Sequence, residues 1–514
     1  MSGVVALARG AWKPTERSVP VARSDDRSAA ALSTRRLLTA AGTVGLVVAL
    51  AASFLGIPGR TAGGGPGAAA LGGVPAPIAQ ATGADPMPGT GAAPGGGSSG
   101  YARAIVIDPG PGPSPALPPG PFPDAALRAA LDDAKWRYGL PGVAVAVLAS
   151  DGRSWTGEAG VANVTTRRAV APTTPFAFGS MTKTFTAALI LRLVEDGVLG
   201  LDDRVIRWLP EYAGRAFLGA TAARRGAITI RMLLAHTSGL DDYLGSYALD
   251  AKLRADKRRV WTPSALIPYI RKPWFAPGTG WAYSNTNYLL LGLIAERATG
   301  TKYATLVRTR ILDPLGLASV YTQVAEPARG SPAKGYDFAT LSRTAKAVSW
   351  SDGTKVMPFT AVTSAAGAAG AMAGTAADIA RWGLALYGGG FLQPSSLAAM
   401  LSFDGTAAPG AADDYGLGVG RRVVGGRLTY GHSGRLAGFR GVVRWVPELG
   451  VSIAVLTNQD RYDPDRVVEK LLGALALVGP QPSSSPSPTP SLAAYPSPST
   501  FPTPEPSAVL TPLP

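Results

Sequence analysis

The 514-residue chain has no cysteine and only two histidines, His236 and His432. The first absence excludes a disulfide framework, a cysteine nucleophile, a thiolate metal site and a lipidated cysteine. The second leaves too few imidazoles for a histidine metal site, so no metal and no cofactor is expected. Aromatic residues are few, at 8 %. No basic run is interleaved with them, which gives no support to nucleic-acid binding. Acidic residues are outnumbered, 34 Asp and Glu against 49 Lys and Arg, for a formal charge of +15. Residues 123–479 hold 40 of those bases and 28 of the acids. A basic surface favours anionic neighbours such as lipid headgroups or cell wall. An arginine- and alanine-rich composition is the simpler source of the charge.

Glycine (64) and proline (45) are abundant, and they concentrate outside the middle of the chain. Residues 1–36 are polar and read as a cytoplasmic segment. Residues 37–57 carry no charge and follow Arg35 and Arg36 directly. At ~1.5 Å per residue this stretch is just long enough to cross a ~30 Å hydrocarbon core. The flanking arginines put Met1 inside and everything after residue 57 outside. The stretch reads as a transmembrane signal anchor, with a cleaved export signal as the alternative, so membrane attachment through an N-terminal helix is expected. Residues 58–122 are a Gly/Pro/Ala linker, and 480–514 a Pro/Ser/Thr tail; neither has the apolar content to build a core.

The middle, 123–479, is the one region with periodic patterns. Leu127, Leu131, Ala134 and Tyr138 predict a helix over 124–138. Apolar residues at 143–148, a turn at Asp151-Gly152 and residues 153–161 predict two strands. A central helix runs from about Ser180 to Asp196, with Gly197 just past its end. Residues 228–235 and 288–298 read as helical. Thr375 and Asp378 have capping-box spacing and open a helix to Tyr387. Near the end, 440–445 and 451–457 flank a turn. Asp463-Pro464 starts a helix striped by Val467, Val468, Leu471, Leu472 and Leu475. Strands at both ends with helices between give an α+β fold, an antiparallel sheet covered by the terminal helices with a helical region inserted.

The chemistry gathers in three short patterns. Ser180-Met-Thr-Lys183 sits at a helix start, so positions i and i+3 share a face and the amine can reach the hydroxyl. Tyr283-Ser-Asn285 follows 103 residues later, and His432-Ser-Gly434 another 149 residues on, behind a strand-like run. Their order and spacing resemble the penicillin-recognising serine hydrolases: class C β-lactamases, D-alanyl-D-alanine carboxypeptidases, D-aminopeptidases and related esterases. Leu201-Asp-Asp203, Leu234-Ala-His-Thr-Ser-Gly-Leu240, Pro277-Gly278, Ala369-Gly-Ala-Met-Ala-Gly-Thr-Ala-Ala-Asp378 and Gly438-Phe439 extend the resemblance over essentially all of 123–479.

The resemblance implies the β-lactamase/transpeptidase-like fold and a role for each motif residue. Ser180 is the nucleophile. Lys183 holds and deprotonates it. Tyr283, flanked by cations, ionises to serve as general base and returns the proton to the leaving group. His432 stands where many relatives carry lysine, so charge there should change with pH near neutrality. Asn285 orients the substrate amide, and Ser433 and Gly434 let substrate lie along a strand edge. The oxyanion hole is the backbone N–H of Ser180 with that of Arg435. The Arg435 side chain either binds a substrate carboxylate or faces solvent. His236 shapes a loop beside the cleft, and Trp281 packs. The expected function is an extracytoplasmic serine hydrolase forming an acyl-enzyme, acting on D-Ala-D-Ala-type peptides of peptidoglycan, β-lactams, or small esters and amides. The rival reading is a non-catalytic module that binds penicillin or peptidoglycan. The sequence is silent on oligomeric state.

Overall fold

Val143, Val145 and Val147 point to one side of a strand, Ala144 and Ala146 to the other, and both sides are buried. A strand buried on both faces belongs at the centre of a sheet covered on both sides. That is its place in the computed structural model, which describes residues 117, 120–219, 221–338, 347–403 and 414–476. The strands are β1 (Gly142–Ala149), β2 (Ser154–Asn163), β3 (Arg168–Ala169), β4 (Asp414–Tyr415), β5 (Gly420–Val424), β6 (Arg427–Leu436), β7 (Phe439–Val446) and β8 (Val451–Thr457). They form one antiparallel sheet in the order β3-β2-β1-β8-β7-β6-β5-β4. Its centre joins the two ends of the domain, with Val145 opposite Val455 and Val147 opposite Ile453.

Six helices pack on the sheet or carry the site: α1 (Asp124–Tyr138), α2 (Thr182–Glu195), α3 (Asn285–Thr299), α4 (Thr360–Gly370), α5 (Ala376–Tyr387) and α6 (Asp465–Ala476). The valine face of the sheet is covered by α1 and α6. Leu127 and Leu131 of α1 and Val468, Leu471 and Leu472 of α6 share one buried cluster with it. Each such side chain contributes about 1.5–3 kcal/mol by leaving water. The alanine face receives α5, and small residues let the two approach closely. A Cβ on Gly383 would lie 2.4 Å from Ser452 Oγ.

Beyond α5, on the same side, lies the region between β3 and β4. It is mainly helical and also carries two small sheets. One joins Phe176–Ala177, Met372–Gly374 and Tyr321–Thr322; the other pairs Gly335–Phe338 with Ala347–Trp350. At its heart is α2, buried at every position from Thr182 to Leu191. A helix enclosed on all sides is core rather than surface.

The sequence patterns place α1 and the β7–β8 turn correctly. Two details differ. The central helix starts at Thr182, because Gly179–Met181 forms a 3-10 turn in front of it. The capping box at Thr375 is half made: its hydroxyl accepts from the Asp378 N–H, while the Asp378 carboxylate takes the backbone N–H and hydroxyl of Ser319. The expected transmembrane segment at 37–57, the tail, and the linker apart from residues 117 and 120–122 lie outside the described residues; Phe122, at the linker's end, is buried in the cluster on the valine face. Among the described residues no helix is long and apolar enough to cross a membrane.

Candidate active site

Ser180 lies in the 3-10 turn that feeds α2, partly exposed while its neighbours Gly179 and Met181 are buried. Two glycines bring that turn against β6. Gly179 has φ +52°, and a Cβ there would sit 2.6 Å from the Arg435 carbonyl oxygen. A Cβ on Gly434 would come within 1.8 Å of the Phe178 carbonyl oxygen. Sequence reasoning gave Gly434 the task of clearing substrate; its nearest neighbour is the backbone of the nucleophile turn. β5 pairs with β6 only from Arg427 to Gly431. From His432 onward that edge of β6 has no strand partner among the described residues.

Lys183 is fully buried one helical turn on. Its amine donates to Ser180 Oγ at 3.3 Å, to Asn285 Oδ1 at 2.7 Å and to the Ala369 carbonyl at 2.8 Å. Ala369 is presented by a break in α4, where Gly367 has φ 45° and ψ −133°. That break frees the adjacent carbonyls, and Ala368 turns its own to the Thr186 hydroxyl. Burial drives the amine down from 10.5 to about 7, and the Asp242 charge opposes that fall. A Lys183 that is part neutral at pH 7 can accept a proton.

The Tyr283 ring lies beside this amine, its centroid 4.8 Å from Lys183 Nζ. Burial pushes its phenol well above 10, and a hydrogen bond with Ser180 pulls the other way. The expectation that Tyr283 ionises near neutrality is therefore corrected. Desolvation of the phenolate, with Tyr288 and Asp242 adding to it, keeps the resting hydroxyl protonated. His432 needs the same correction. It is 1 % exposed. Nδ1 lies 2.5 Å from the Ser433 carbonyl and Nε2 2.9 Å from the Tyr415 hydroxyl. The carbonyl can only accept, so Nδ1 carries the proton and Nε2 accepts from Tyr415. Burial, with Lys183 and Arg444 nearby, drives its pKa down to about 3. The group that replaces lysine in this triplet is a neutral donor–acceptor relay.

His236 is structural, as expected. It is fully buried with φ +60°. Its Nδ1 accepts from the Ser284 N–H at 3.2 Å and faces Asn287 Nδ2 at 2.9 Å, and its ring lies 4.3 Å from that of Tyr283. Asn285 is buried between two partners, Lys183 at its oxygen and Asp242 at its nitrogen, 2.9 Å away. Arg435 reaches Asp460 at 3.3 Å, so its charge faces a carboxylate and not open solvent. Ser433 contributes its carbonyl to His432.

Sequence reasoning missed three participants. Asp242 follows the flagged His236–Leu240 loop by two residues, and proximity to that loop was the available signal. The Ala369 carbonyl opens a segment the resemblance had marked, though with no role given to it, and Tyr415 had no signal, because its contact with His432 depends on the pairing of strands. No cluster of metal-ligating side chains exists among the described residues.

Comparisons with known proteins show the family. The family model described as Beta-lactamase matches residues 125–478. Penicillin-binding protein 4 of Amycolatopsis lactamdurans is 31 % identical over 352 residues, 66 % of this chain and 86 % of that protein. Penicillin-binding protein 4* of Bacillus subtilis (strain 168) is 34 % identical over 192 residues, 36 % of this chain and only 39 % of that protein. Among solved structures, a D-stereospecific amidohydrolase from Streptomyces sp. superposes with a TM-score of 0.57 at 30 % identity, covering 67 % of this chain and 97 % of that one. With Ser180, Lys183, Tyr283 and His432 converging at one end of an antiparallel sheet, the chain belongs to the Beta-lactamase family and is a serine hydrolase.

Proposed function

We propose that the protein hydrolyses amide or peptide bonds of D-amino acids through an acyl-enzyme on Ser180. The observation that carries this reading is the buried Lys183 amine, lowered to about 7 and 3.3 Å from Ser180 Oγ. Ser180 Oγ attacks the substrate carbonyl as its proton passes to Lys183. The oxyanion that forms is held by the backbone N–H groups of Ser180 and Arg435; the support is the close approach of the Gly179 backbone to that of Arg435. The C–N bond breaks, and the amine leaves with the proton of the Tyr283 hydroxyl, which Lys183 replaces. Water then repeats the sequence in reverse and frees the acid. Substrate lies along the unpaired edge of β6, beside neutral His432. The resemblance to a D-stereospecific amidohydrolase across 97 % of its length supports this substrate class. Penicillin-binding relatives keep β-lactams and D-Ala-D-Ala peptides beside it as candidates.

The test is intact-protein mass after incubation with a fluorescent penicillin, alongside hydrolysis of D-phenylalanine amide, for wild type and Ser180→Ala. Adduct or turnover in wild type alone is expected. Equal behaviour of the two proteins sinks the mechanism. Consumption of penicillin without adduct moves the substrate class to β-lactams.

We also place the hydrolase domain outside the cytoplasm, tethered at the membrane by residues 37–57. The support is that uncharged run directly after Arg35 and Arg36. Protease added to intact cells should remove the domain; protection equal to that of a cytoplasmic marker overturns this placement.

A further inference from the structure

Asp242 has no task in the steps above, yet the fold spends a buried charge on it. Its side chain is 2 % exposed. Oδ2 accepts from Asn285 Nδ2 at 2.9 Å, and Oδ1 accepts from the Leu244 N–H at 3.0 Å. Asn285 Oδ1 in turn accepts from Lys183 at 2.7 Å. The neighbouring Asp241 is committed elsewhere, in a two-pronged pair with Arg271. Asp242 alone of the two points, through one amide, at the nucleophile pair. A buried carboxylate without a direct cation is costly and is retained only where something offsets it.

We propose that Asp242 is a positioning residue for Ser180 and Lys183, fixing the Asn285 amide with its oxygen towards Lys183 and setting, by its charge, the pH at which Lys183 can take the serine proton. This deepens the acyl-enzyme reading and rests on it. An amide has a donor end and an acceptor end. Asp242 accepts only, so it takes the Nδ2 end, which leaves oxygen for the amine. With that carboxylate gone, Asn285 is free to turn its NH2 towards the ammonium, where it cannot accept a hydrogen bond.

The charge acts separately from the orientation. Burial pushes the proton off Lys183 and Asp242 draws it back. Burial also lifts Asp242 to about 6, against the pull of Asn285, the Leu244 N–H and Lys183, with Asp241 adding to the rise. The other groups around Lys183 are the Tyr283 and Tyr288 rings and the two histidines, His236 and His432. Those around Asp242 include Tyr243 and Arg271. Both tyrosines beside Lys183 are pushed up by burial and both histidines down, so all four are neutral in the working range. Asp242 is therefore the one anion among these neighbours that acts on Lys183 there.

The experiment follows hydrolysis of p-nitrophenyl acetate from pH 5 to 9 by the full chain, with Ser180→Ala as blank. In Asp242→Asn the neutral amide can still accept from Asn285, so orientation survives and charge is lost. The acid limb of the rate profile should then move down by about one pH unit or more, and Asp242→Glu should return it towards wild type. A limb in Asp242→Asn that coincides with wild type, with equal melting temperatures, overturns the proposal. If Asp242→Asn does not fold, Asp242→Ser carries the same prediction. Wild-type turnover no greater than that of Ser180→Ala overturns the acyl-enzyme reading and this inference with it, which separates the two failures.

Discussion

Lys183 costs stability in the same act that makes it reactive. Its folded pKa is near 7 against 10.5 unfolded, so between those values the unfolded chain binds more protons than the folded one. Stability therefore rises with pH across that window and is flat, with respect to this group, below it. Lys183→Met removes the slope. Going from pH 7 to 10, wild type should gain about 3 kcal/mol relative to Lys183→Met. Denaturant melts of both proteins at the two pH values read the difference, in which other titrating groups cancel. The variant should also lose Ser180 acylation. His432 behaves differently because it is neutral throughout the working range. Its imidazole NMR shifts should stay constant from pH 8 to 5, and a midpoint near 6.5 would refute the buried Tyr415–His432–Ser433 relay. Tyr415→Phe removes the donor to Nε2 and should cost about 1–3 kcal/mol, because a buried acceptor is left unmatched.

At the scale of elements, the site depends on one close contact between the Ser180 turn and β6. Gly434→Ala puts a methyl group against the Phe178 carbonyl, at 1.8 Å before anything moves. Backbone must shift on one side or both, so acylation should fall by at least about a hundredfold, consistent with the sensitivity of reactive geometry to small displacements. Gly473→Ala, on α6 with nothing within 4 Å of the added carbon, should instead stabilise by about 0.5–1 kcal/mol and leave activity unchanged. Thermal melts and penicillin labelling of the two variants decide both points. The contrast also shows what was legible beforehand. Elements came through where local pattern decides them, as with Leu127, Leu131 and Ala134 on α1. The proximity of Ser180 and Lys183 came through because they lie three residues apart where a 3-10 turn runs into a helix. The charge states of Tyr283 and His432 did not, since both are set by burial among groups distant in sequence. The link from Asp242 to Asn285 was hidden for the same reason, since 43 positions separate the two, and only the flagged loop beside Asp242 hinted at it.

For the whole molecule, the two ends of the domain hold each other while the chemistry sits on the opposite face of the sheet. α1 and α6 pack on the valine face, and α6 is pinned there by a buried ion pair. Arg444 of β7, with its side chain 4 % exposed, donates to both Asp465 oxygens at 2.9 and 2.7 Å, and Arg422 of β5 reaches the same carboxylate at 2.7 Å. Burial pushes the Asp465 carboxyl up, and Arg444 and Arg422 outweigh it and hold the group below the usual carboxylate range. Removing one partner of such a group strands the other charge in the core, a loss of about 3–5 kcal/mol. Asp465→Ala should therefore lower the unfolding midpoint sharply. The same variant should keep the wild-type acylation rate per folded molecule, because Lys183 and its three acceptors lie on α2, the turn before it, α3 and α4, on the other side of the sheet. Denaturant melts read the first effect. Penicillin labelling at a temperature well below the new midpoint reads the second. Were acylation to fall in step with stability, the terminal helices would be coupled to the Ser180 turn through β6 and β7, and the sheet would be transmitting strain instead of separating scaffold from site.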